Sequence, residues 1–165
     1  FVDLSKLGAV ITKSITLKPR EGNLSPRIHG SDSGMINSIG LANIGVEKFC
    51  KVKVEPLNNL KTKYIVSIAG STIDEYVEIL TQIEQSKGNP VGYEINISCP
   101  NVKQGGIEFG VNKDIVSSLT SQLRELTQKL LIIKLTPNVT DISEIALSAQ
   151  EGGADAISAV IPFKG

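Results

Sequence analysis

The chain has 165 residues, of which 41% are hydrophobic, and its 17 basic residues balance its 17 acidic ones. This composition is typical of a globular protein with a hydrophobic core and excludes a disordered tail. Because the charges are balanced and scattered, we expect neither nucleic acid nor an anionic membrane surface as a partner. The apolar runs fall short of the roughly 20 residues of a membrane span, and the first residues lack a signal-peptide pattern. The sequence therefore predicts a soluble, cytoplasmic protein.

Five short runs rich in β-branched residues alternate with amphipathic helical patterns. The predicted strands cover 8–12, 64–69, 93–98, 131–135 and 156–161. The predicted helices cover 46–54, 73–83, 115–126 and 142–149, and capping signals at Thr72 and Asp141 mark two of their starts. The strands read as nearly continuous apolar runs, which is typical of a parallel sheet covered on both faces.

The order βαβαβαβαβ predicts an α/β fold with a parallel sheet. An eight-stranded barrel needs about 250 residues, whereas an open doubly wound sheet could be complete at this length. The chain begins almost inside one predicted strand and ends just after another. We therefore expect a single incomplete domain over residues 1–165.

The segment 16–43 is too long for a simple connection and contains several glycines and prolines. Loops of this length are usually functional or disordered. We interpret it as an active-site loop.

Polar side chains recur where the predicted strands end. Lys13 follows the first strand, Asn96 and Lys134 lie near the ends of the third and fourth, and Cys99 and Asn101 begin the loop after Asn96. A single lysine could be a solvated surface residue and a single asparagine a turn residue. Because ligands bind at the carboxyl ends of parallel strands, recurrence on three strands favours one common site.

The remaining reactive residues exclude several kinds of site. Cys50 and Cys99 are expected to be free thiols, with Cys50 a small filler of a helix, and His29 is expected to be a solvated loop residue. Because this single histidine is expected to be solvated, we expect neither a Ser-His-Asp triad nor a histidine-rich metal site, and no bound metal. The sequence also lacks GxGxxG and Walker motifs.

Four ordered blocks carry a resemblance to a known family: ITKSITLKPREGN (11–23), GMINSIGLANIGVEKF (34–49), YEINISCPNVKQGGIEFG (93–110) and IIKLTPNVTDISEIA (132–146). They resemble the catalytic subunit of class I dihydroorotate dehydrogenases, in the form that pairs with an iron–sulfur flavoprotein subunit. The resemblance implies a partial (β/α)8 TIM barrel corresponding to about strands 2 to 6. It also implies an FMN-dependent oxidation of dihydroorotate to orotate in pyrimidine biosynthesis, a homo-oligomer, and an iron–sulfur/FAD electron-transfer partner.

The resemblance also assigns roles to individual residues. Cys99 would be the catalytic base that removes the proton from C5 of dihydroorotate while hydride leaves C6 for N5 of FMN. The implied cofactor-binding residues are Lys13, Asn96 and Lys134. The implied substrate-binding residues are Lys13, Asn37, Ile39, Gly40, Leu41, Asn96 and Asn101.

Two departures from the family pattern modify these expectations. The family's first strand and its last two strands, whose loops hold the FMN phosphate, have no counterpart here, so we expect this chain alone to bind FMN weakly and to be inactive. Ile161 and Pro162 stand where the family has an asparagine and a small hydroxyl residue. Two alternatives stay open: a dihydropyrimidine dehydrogenase-like enzyme, and a non-catalytic, truncated α/β module that binds a partner subunit.

Overall fold

The computed structural model describes residues 2–32, 34–98, 103–104, 107–137 and 139–159. The strands, in chain order, are β1 (Ala9–Ile11), β2 (Ile28–Ser31), β3 (Gly34–Asn37), β4 (Lys63–Ile68), β5 (Gly92–Asn96), β6 (Lys103–Gln104), β7 (Ile107–Glu108), β8 (Leu130–Lys134) and β9 (Ala156–Ser158). The α-helices are α1 (Val46–Val52), α2 (Val54–Asn58), α3 (Ile73–Glu84), α4 (Lys113–Leu126) and α5 (Ile142–Glu151), and short 3-10 turns cover Leu4–Lys6 and Phe109–Val111.

Five strands form one parallel sheet in the order β1-β4-β5-β8-β9. The spatial order follows the chain order, as it does when successive strand–helix units are laid side by side around a barrel. The curled sheet and its helices are half of an α/β barrel. The predicted fold class and the five predicted parallel strands are confirmed, with strand ends shifted by a residue or two where they are described.

The helices pack against one face of the sheet. The strand residues Val66, Ile95 and Ile133 have no exposed surface and belong to a single hydrophobic core. Leu80 of α3 and Leu119 of α4 join them from the helical layer. Because side chains alternate between the two faces of a strand, this packing leaves the intervening residues on the opposite, inner face.

The helix starts follow the predicted capping signals. Thr72 Oγ1 accepts a hydrogen bond of 3.1 Å from the Glu75 amide, and the Glu75 carboxylate accepts one of 2.6 Å from the Ser71 amide. Asp141 Oδ1 accepts a hydrogen bond of 2.8 Å from the Ser143 amide at the start of α5. These side chains satisfy amide groups that have no partner within the helix.

The single helix predicted over 46–54 is wrong, because the structure forms two helices, α1 and α2, that meet at Lys53. Pro56 lies in the first turn of α2, where its missing N–H is not needed. In one continuous helix its ring would clash with the carbonyl of Val52, four residues earlier. The chain therefore restarts the helix before the proline.

The segment 16–43, which the sequence analysis interpreted as a loop, also contains regular structure, because β2 and β3 form an antiparallel hairpin within it. All eight hairpin residues are exposed, so burial imposes no alternating pattern on the sequence. His29 lies on β2 and is exposed, which confirms its predicted solvation.

Cys50 lies half-buried on α1, packs against the core and is a free thiol, as predicted. Burial raises the pKa of this thiol. Within the described ranges, no helix combines the length and apolarity needed to cross a bilayer.

The amino-terminal edge of the sheet is held by polar clusters. Glu84, at the end of α3, accepts hydrogen bonds from Tyr93 (2.9 Å), Thr127 (2.6 Å) and Lys129 (2.9 Å). In a barrel this edge contributes to stability, whereas the carboxyl edge carries the chemistry.

A second cluster lies beside it. The Arg124 guanidinium donates to the carbonyls of Thr127 and Lys129 and to Asp155 Oδ2, at 2.7, 2.6 and 2.8 Å. Asp155 in turn accepts a hydrogen bond of 2.8 Å from the Leu131 amide. Arg124 therefore ties the connections before β8 and β9 together.

Candidate active site

A bulge places Lys13 at the carboxyl end of β1. Ile11 pairs with Ile65 and Ile15 with Ile68. Between these two pairs the first segment advances by four residues and β4 by three, so the first segment contains one extra residue. Such an extra residue bends a strand and redirects its side chains, and bulges are frequent beside active sites. Lys13 lies inside the bulge and is exposed.

The bulge is fixed to β4 by two hydroxyl groups. Thr12 Oγ1 accepts a hydrogen bond of 3.2 Å from the Ser67 amide, and the Ser14 and Ser67 hydroxyls are 3.0 Å apart. These contacts hold the residues on both sides of Lys13 against the sheet.

Asn96 and Lys134 are direct cross-strand partners at the ends of β5 and β8. Lys134 is paired in turn with Ser158 on β9. Paired residues on neighbouring strands point to the same face, and adjacent strands lie about 4.8 Å apart. The structure therefore brings two of the predicted cofactor-binding residues together on the inner face of the sheet.

A carboxylate lies below this pair. Glu94 pairs with Ser67 across β4 and β5, and its Oε1 accepts a hydrogen bond of 3.2 Å from the Ser67 hydroxyl. The Lys134 ammonium lies 3.8 Å from the same oxygen. The side chain of Glu94 is 5% exposed and that of Lys134 is 27% exposed, so the carboxylate is the more deeply buried member of the ion pair.

The amide of Asn96 has a defined orientation. Its Oδ1 accepts hydrogen bonds from the amide and hydroxyl of Ser98, and its Nδ2 donates one of 3.3 Å to the Ser14 hydroxyl. Asn96 thus links the end of β5 to the bulge that carries Lys13.

The polar inner face was missed by the sequence reasoning, which treated these strands as continuous apolar runs. In 93–98 the core residues Tyr93, Ile95 and Ile97 alternate with polar residues. This alternation is the signal that places Glu94 on the same face as Asn96. Glu94, Ser67 and Ser14 are the site residues that the predictions lacked.

The predicted substrate loop at Ile39–Leu41 is held in a strained conformation. Gly40 has a φ of 74°, and a Cβ there would lie 2.7 Å from the Asn23 amide nitrogen. The next residue, Leu41, has a φ of 55°, which is costly for a residue with a side chain.

Two asparagines hold this loop in place. Asn23 donates from its amide to the Ile39 carbonyl (3.1 Å) and from its side chain to the Ser38 carbonyl (2.8 Å). Asn43 donates to the Leu41 carbonyl at 2.8 Å. Strain that the surroundings maintain in this way is common at ligand sites.

Asn37, the other described residue predicted to bind substrate, is not connected to this group. Asn37 lies exposed at the end of β3, and no described contact joins it to Asn96 or Lys134. The predictions for Cys99, Asn101, Ile161 and Pro162 lie outside the described residues.

A cavity of about 480 Å³ adjoins Lys13. Its other walls come mostly from apolar residues of β1, α1 and α2, including Val10, Phe49 and Leu57. It does not include Asn96, Glu94 or Lys134, so the polar inner face and this cavity are separate features. In the part of the chain that the structure describes, no three or more His, Cys, Asp or Glu side chains are grouped to hold a metal ion.

Comparisons with known proteins agree with this arrangement. The family model described as Dihydroorotate dehydrogenase matches residues 1–164. The chain belongs to the dihydroorotate dehydrogenase family. This membership confirms the resemblance that the four sequence blocks indicated.

Three curated relatives with the same name are similar to this chain. The chain is 46% identical over 165 residues to the dihydroorotate dehydrogenase B (NAD(+)), catalytic subunit, of Trichlorobacter lovleyi, and 42% identical to that of Thermoanaerobacter sp. (strain X514). It is 47% identical over 160 residues to the subunit of the same name from Alkaliphilus oremlandii. The first two alignments cover all of this chain, and the third covers 97% of it. They cover 54%, 54% and 52% of the relatives, so the chain spans about half the length of these relatives.

A solved structure shares the fold. The carboxyl transferase domain of Rhizobium etli pyruvate carboxylase aligns with a TM-score of 0.53 and 14% sequence identity. The alignment covers 69% of this chain and 19% of the solved chain. At this identity the likeness concerns the fold alone.

Proposed function

We propose that the complete protein carrying this chain oxidises dihydroorotate to orotate, with FMN as its cofactor, in pyrimidine biosynthesis. The observation that carries the proposal is the cross-strand pairing of Asn96 and Lys134 on the inner face of the sheet, in a member of this family. Their position at the carboxyl edge is where α/β barrels bind their ligands.

The residues present fit a flavin. Lys134 offers an ammonium group, Asn96 an amide and Lys13 a second cation, and these donors complement an electron-rich heterocycle with carbonyl oxygens. When bound, FMN would supply the redox chemistry by accepting a hydride. Lys134 would hold a fixed positive charge where negative charge accumulates, which is the usual way a protein stabilises such a site.

Cys99 is the proposed base. It follows Ser98, whose amide and hydroxyl both donate to the Asn96 side chain at the end of β5. Its thiolate would remove the proton from C5 of dihydroorotate. The thiolate, not the thiol, is the form that accepts a proton, so this step requires Cys99 to be deprotonated.

The other proposed contacts surround the substrate. Asn37 and Asn101 would hydrogen-bond the pyrimidine ring and the carboxylate, and the main chain at Ile39–Leu41 would cover the substrate. The relatives are named as catalytic subunits, which supports a partner subunit, and we propose an iron–sulfur/FAD electron-transfer protein for this role within a homo-oligomeric assembly. We place the protein in the cytoplasm, where a thiol such as Cys50 stays reduced.

The test uses a complete subunit in which this sequence replaces the matching segment of the Trichlorobacter lovleyi relative. The purified subunit is assayed for retained FMN and for orotate formation from dihydroorotate, with the unaltered relative as the control. We expect bound flavin and orotate formation. A flavin-containing subunit that reduces uracil and leaves dihydroorotate unchanged would contradict the proposal and support a dihydropyrimidine dehydrogenase-like enzyme.

A further inference from the structure

We propose that Glu94 is a positioning residue whose buried carboxylate fixes Asn96 and Lys134 for the flavin. The inference rests on the proposed function, because it names what orients two residues of that site. It is carried by the continuous hydrogen-bond chain that starts at Asn96 and ends at the Glu94–Lys134 ion pair.

The direction of each hydrogen bond in this series follows from which group supplies the proton. Ser67 donates its hydroxyl proton to Glu94, so at its contact with Ser14 it must accept. Ser14 therefore donates to Ser67 and accepts from the Asn96 amide group, which has no acceptor on that nitrogen. Every donor in the chain points toward Glu94, as expected when an ionised carboxylate is its end.

Such an alignment orients Asn96. Hydrogen bonds in a chain polarise one another, and bonds to an ionised group are stronger than neutral ones. Removing the charge of Glu94 removes the reason for this direction, since a neutral amide can both donate and accept. The two bonds from Ser98 would still set which way the Asn96 amide faces, but its bond to Ser14 would be weaker.

The ion pair leaves Lys134 available for a ligand. Its ammonium carries three donors, and the distance of 3.8 Å to Glu94 exceeds that of a direct hydrogen bond. Coulomb attraction thus holds the charge over the inner face without consuming its donors. Electron-rich atoms of a ligand can accept them.

A purely structural role for Glu94 makes a different prediction from a positioning role. If Glu94 only stabilises the sheet, Glu94→Gln should weaken flavin binding equally whether or not residue 134 is charged. If it acts through Lys134, most of its effect should disappear once the lysine is replaced, because contacting residues in one network are not additive.

The first experiment needs no flavin. The chain is treated with a small amine-reactive acetylating reagent, and modification of Lys134 is quantified by mass spectrometry in the wild type and in Glu94→Gln. We expect labelling of Lys134 to rise roughly threefold when its carboxylate partner is removed. Lys129, which is paired with Glu84, is the internal reference and should not change. Glu125→Gln, at an exposed position of α4, is the matched control variant.

The second experiment is a double-mutant cycle on FMN affinity in the complete chimeric subunit. We expect Glu94→Gln to weaken FMN binding about tenfold, but only about twofold, through Asn96, in a Lys134→Met background. Equal losses in both backgrounds, or unchanged labelling of Lys134, would overturn the positioning role.

Two safeguards separate the possible failures. If circular dichroism shows that Glu94→Gln does not fold, Ser67→Ala is tested instead. It removes the hydrogen-bond donor to Glu94 while keeping the charge, and it should weaken FMN binding severalfold through Asn96.

If neither the wild type nor any variant binds FMN, the proposed function fails. The labelling result still decides whether Glu94 holds Lys134.

Discussion

The phenol of Tyr76 donates a hydrogen bond of 2.9 Å to the main-chain carbonyl of Asn96. Tyr76 lies on α3 with no exposed surface, and Gly70 packs against its ring so closely that a Cβ there would lie 3.0 Å away. The helical layer therefore holds the end of β5 from behind, while Glu94 and Ser14 orient the Asn96 side chain from the inner face.

Tyr76→Phe tests this support. The substitution leaves a buried carbonyl without its phenol donor, so we expect a loss of about 1–3 kcal/mol in the free energy of unfolding. Denaturant unfolding of the chain measures it. We also expect weaker FMN binding in the complete subunit, because the end of β5 loses its anchor.

Tyr93→Phe is the matched comparison. It removes a phenol that binds Glu84 at the opposite edge of the sheet. It should reduce stability but leave FMN affinity unchanged. A similar loss of FMN affinity in both variants would mean that the effect of Tyr76 is one of general stability.

A substitution at Gly22 tests the strained conformation of the proposed substrate loop, Ile39–Leu41. Gly22 has a φ of 82°, and a Cβ at this position would clash with the carbonyl oxygen of Ile39. We expect Gly22→Ala to destabilise the protein by about 1–3 kcal/mol and to weaken substrate binding. Gly30→Ala is the control, because a Cβ at Gly30 meets no atom within 4 Å. Equal effects of the two variants would contradict the strained loop.

Glu84 predicts an acid-dependent loss of stability. Burial raises the pKa of its carboxyl, but hydrogen bonds from Thr127, Lys129 and Tyr93 and the charge of Lys129 together lower it below the ordinary 4.5. A depressed pKa in the folded state stabilises the protein above about pH 4.5, and this contribution disappears as the pH falls through the folded-state pKa.

The corresponding variant is Glu84→Gln, with Glu125→Gln as the exposed control. Free energies of unfolding are measured from neutral pH to about pH 3. The deficit of Glu84→Gln relative to the wild type should shrink as the pH falls, whereas Glu125→Gln should follow the wild type throughout. A deficit that does not depend on pH would show that the charge of Glu84 contributes nothing.

Arg124→Lys tests the cluster before β8 and β9. The planar guanidinium reaches two main-chain carbonyls and Asp155 at once from two separate nitrogens, whereas lysine carries all its donors on one nitrogen. We expect a loss of about 2–3 kcal/mol in the free energy of unfolding. Arg20→Lys, at an exposed position, should be within about 0.5 kcal/mol of the wild type. A loss of the same small size for Arg124→Lys would refute the role of the cluster.

The sequence predicted the parallel sheet because core residues such as Ile95 and Ile133 recur in short β-branched runs separated by helical periods. It did not predict the β2–β3 hairpin, because neither of its faces is buried and no alternation results. The sequence predicted one helix across Lys53, because the spacing of apolar residues does not reveal the break that Pro56 requires.

The site was predicted in part for similar reasons. Lys13, Asn96 and Lys134 are polar residues at strand ends, and topology alone places such residues along one edge. Glu94 was missed because it lies within a strand, and its function depends on long-range contacts with Ser67 and Lys134 that local patterns do not show. The bulge at Lys13 likewise appears only when the pairing of Ile11 and Ile15 with β4 is known.

The most direct test of the proposed function is anaerobic reduction of the bound flavin by dihydroorotate in the complete chimeric subunit, compared with its Cys99→Ala variant. We expect dihydroorotate to bleach the flavin absorbance of the unsubstituted subunit, and the alanine variant to keep its flavin but to be reduced slower by about 100-fold or more. Flavin that stays oxidised in the unsubstituted subunit, or equal rates in both proteins, would contradict the proposed chemistry.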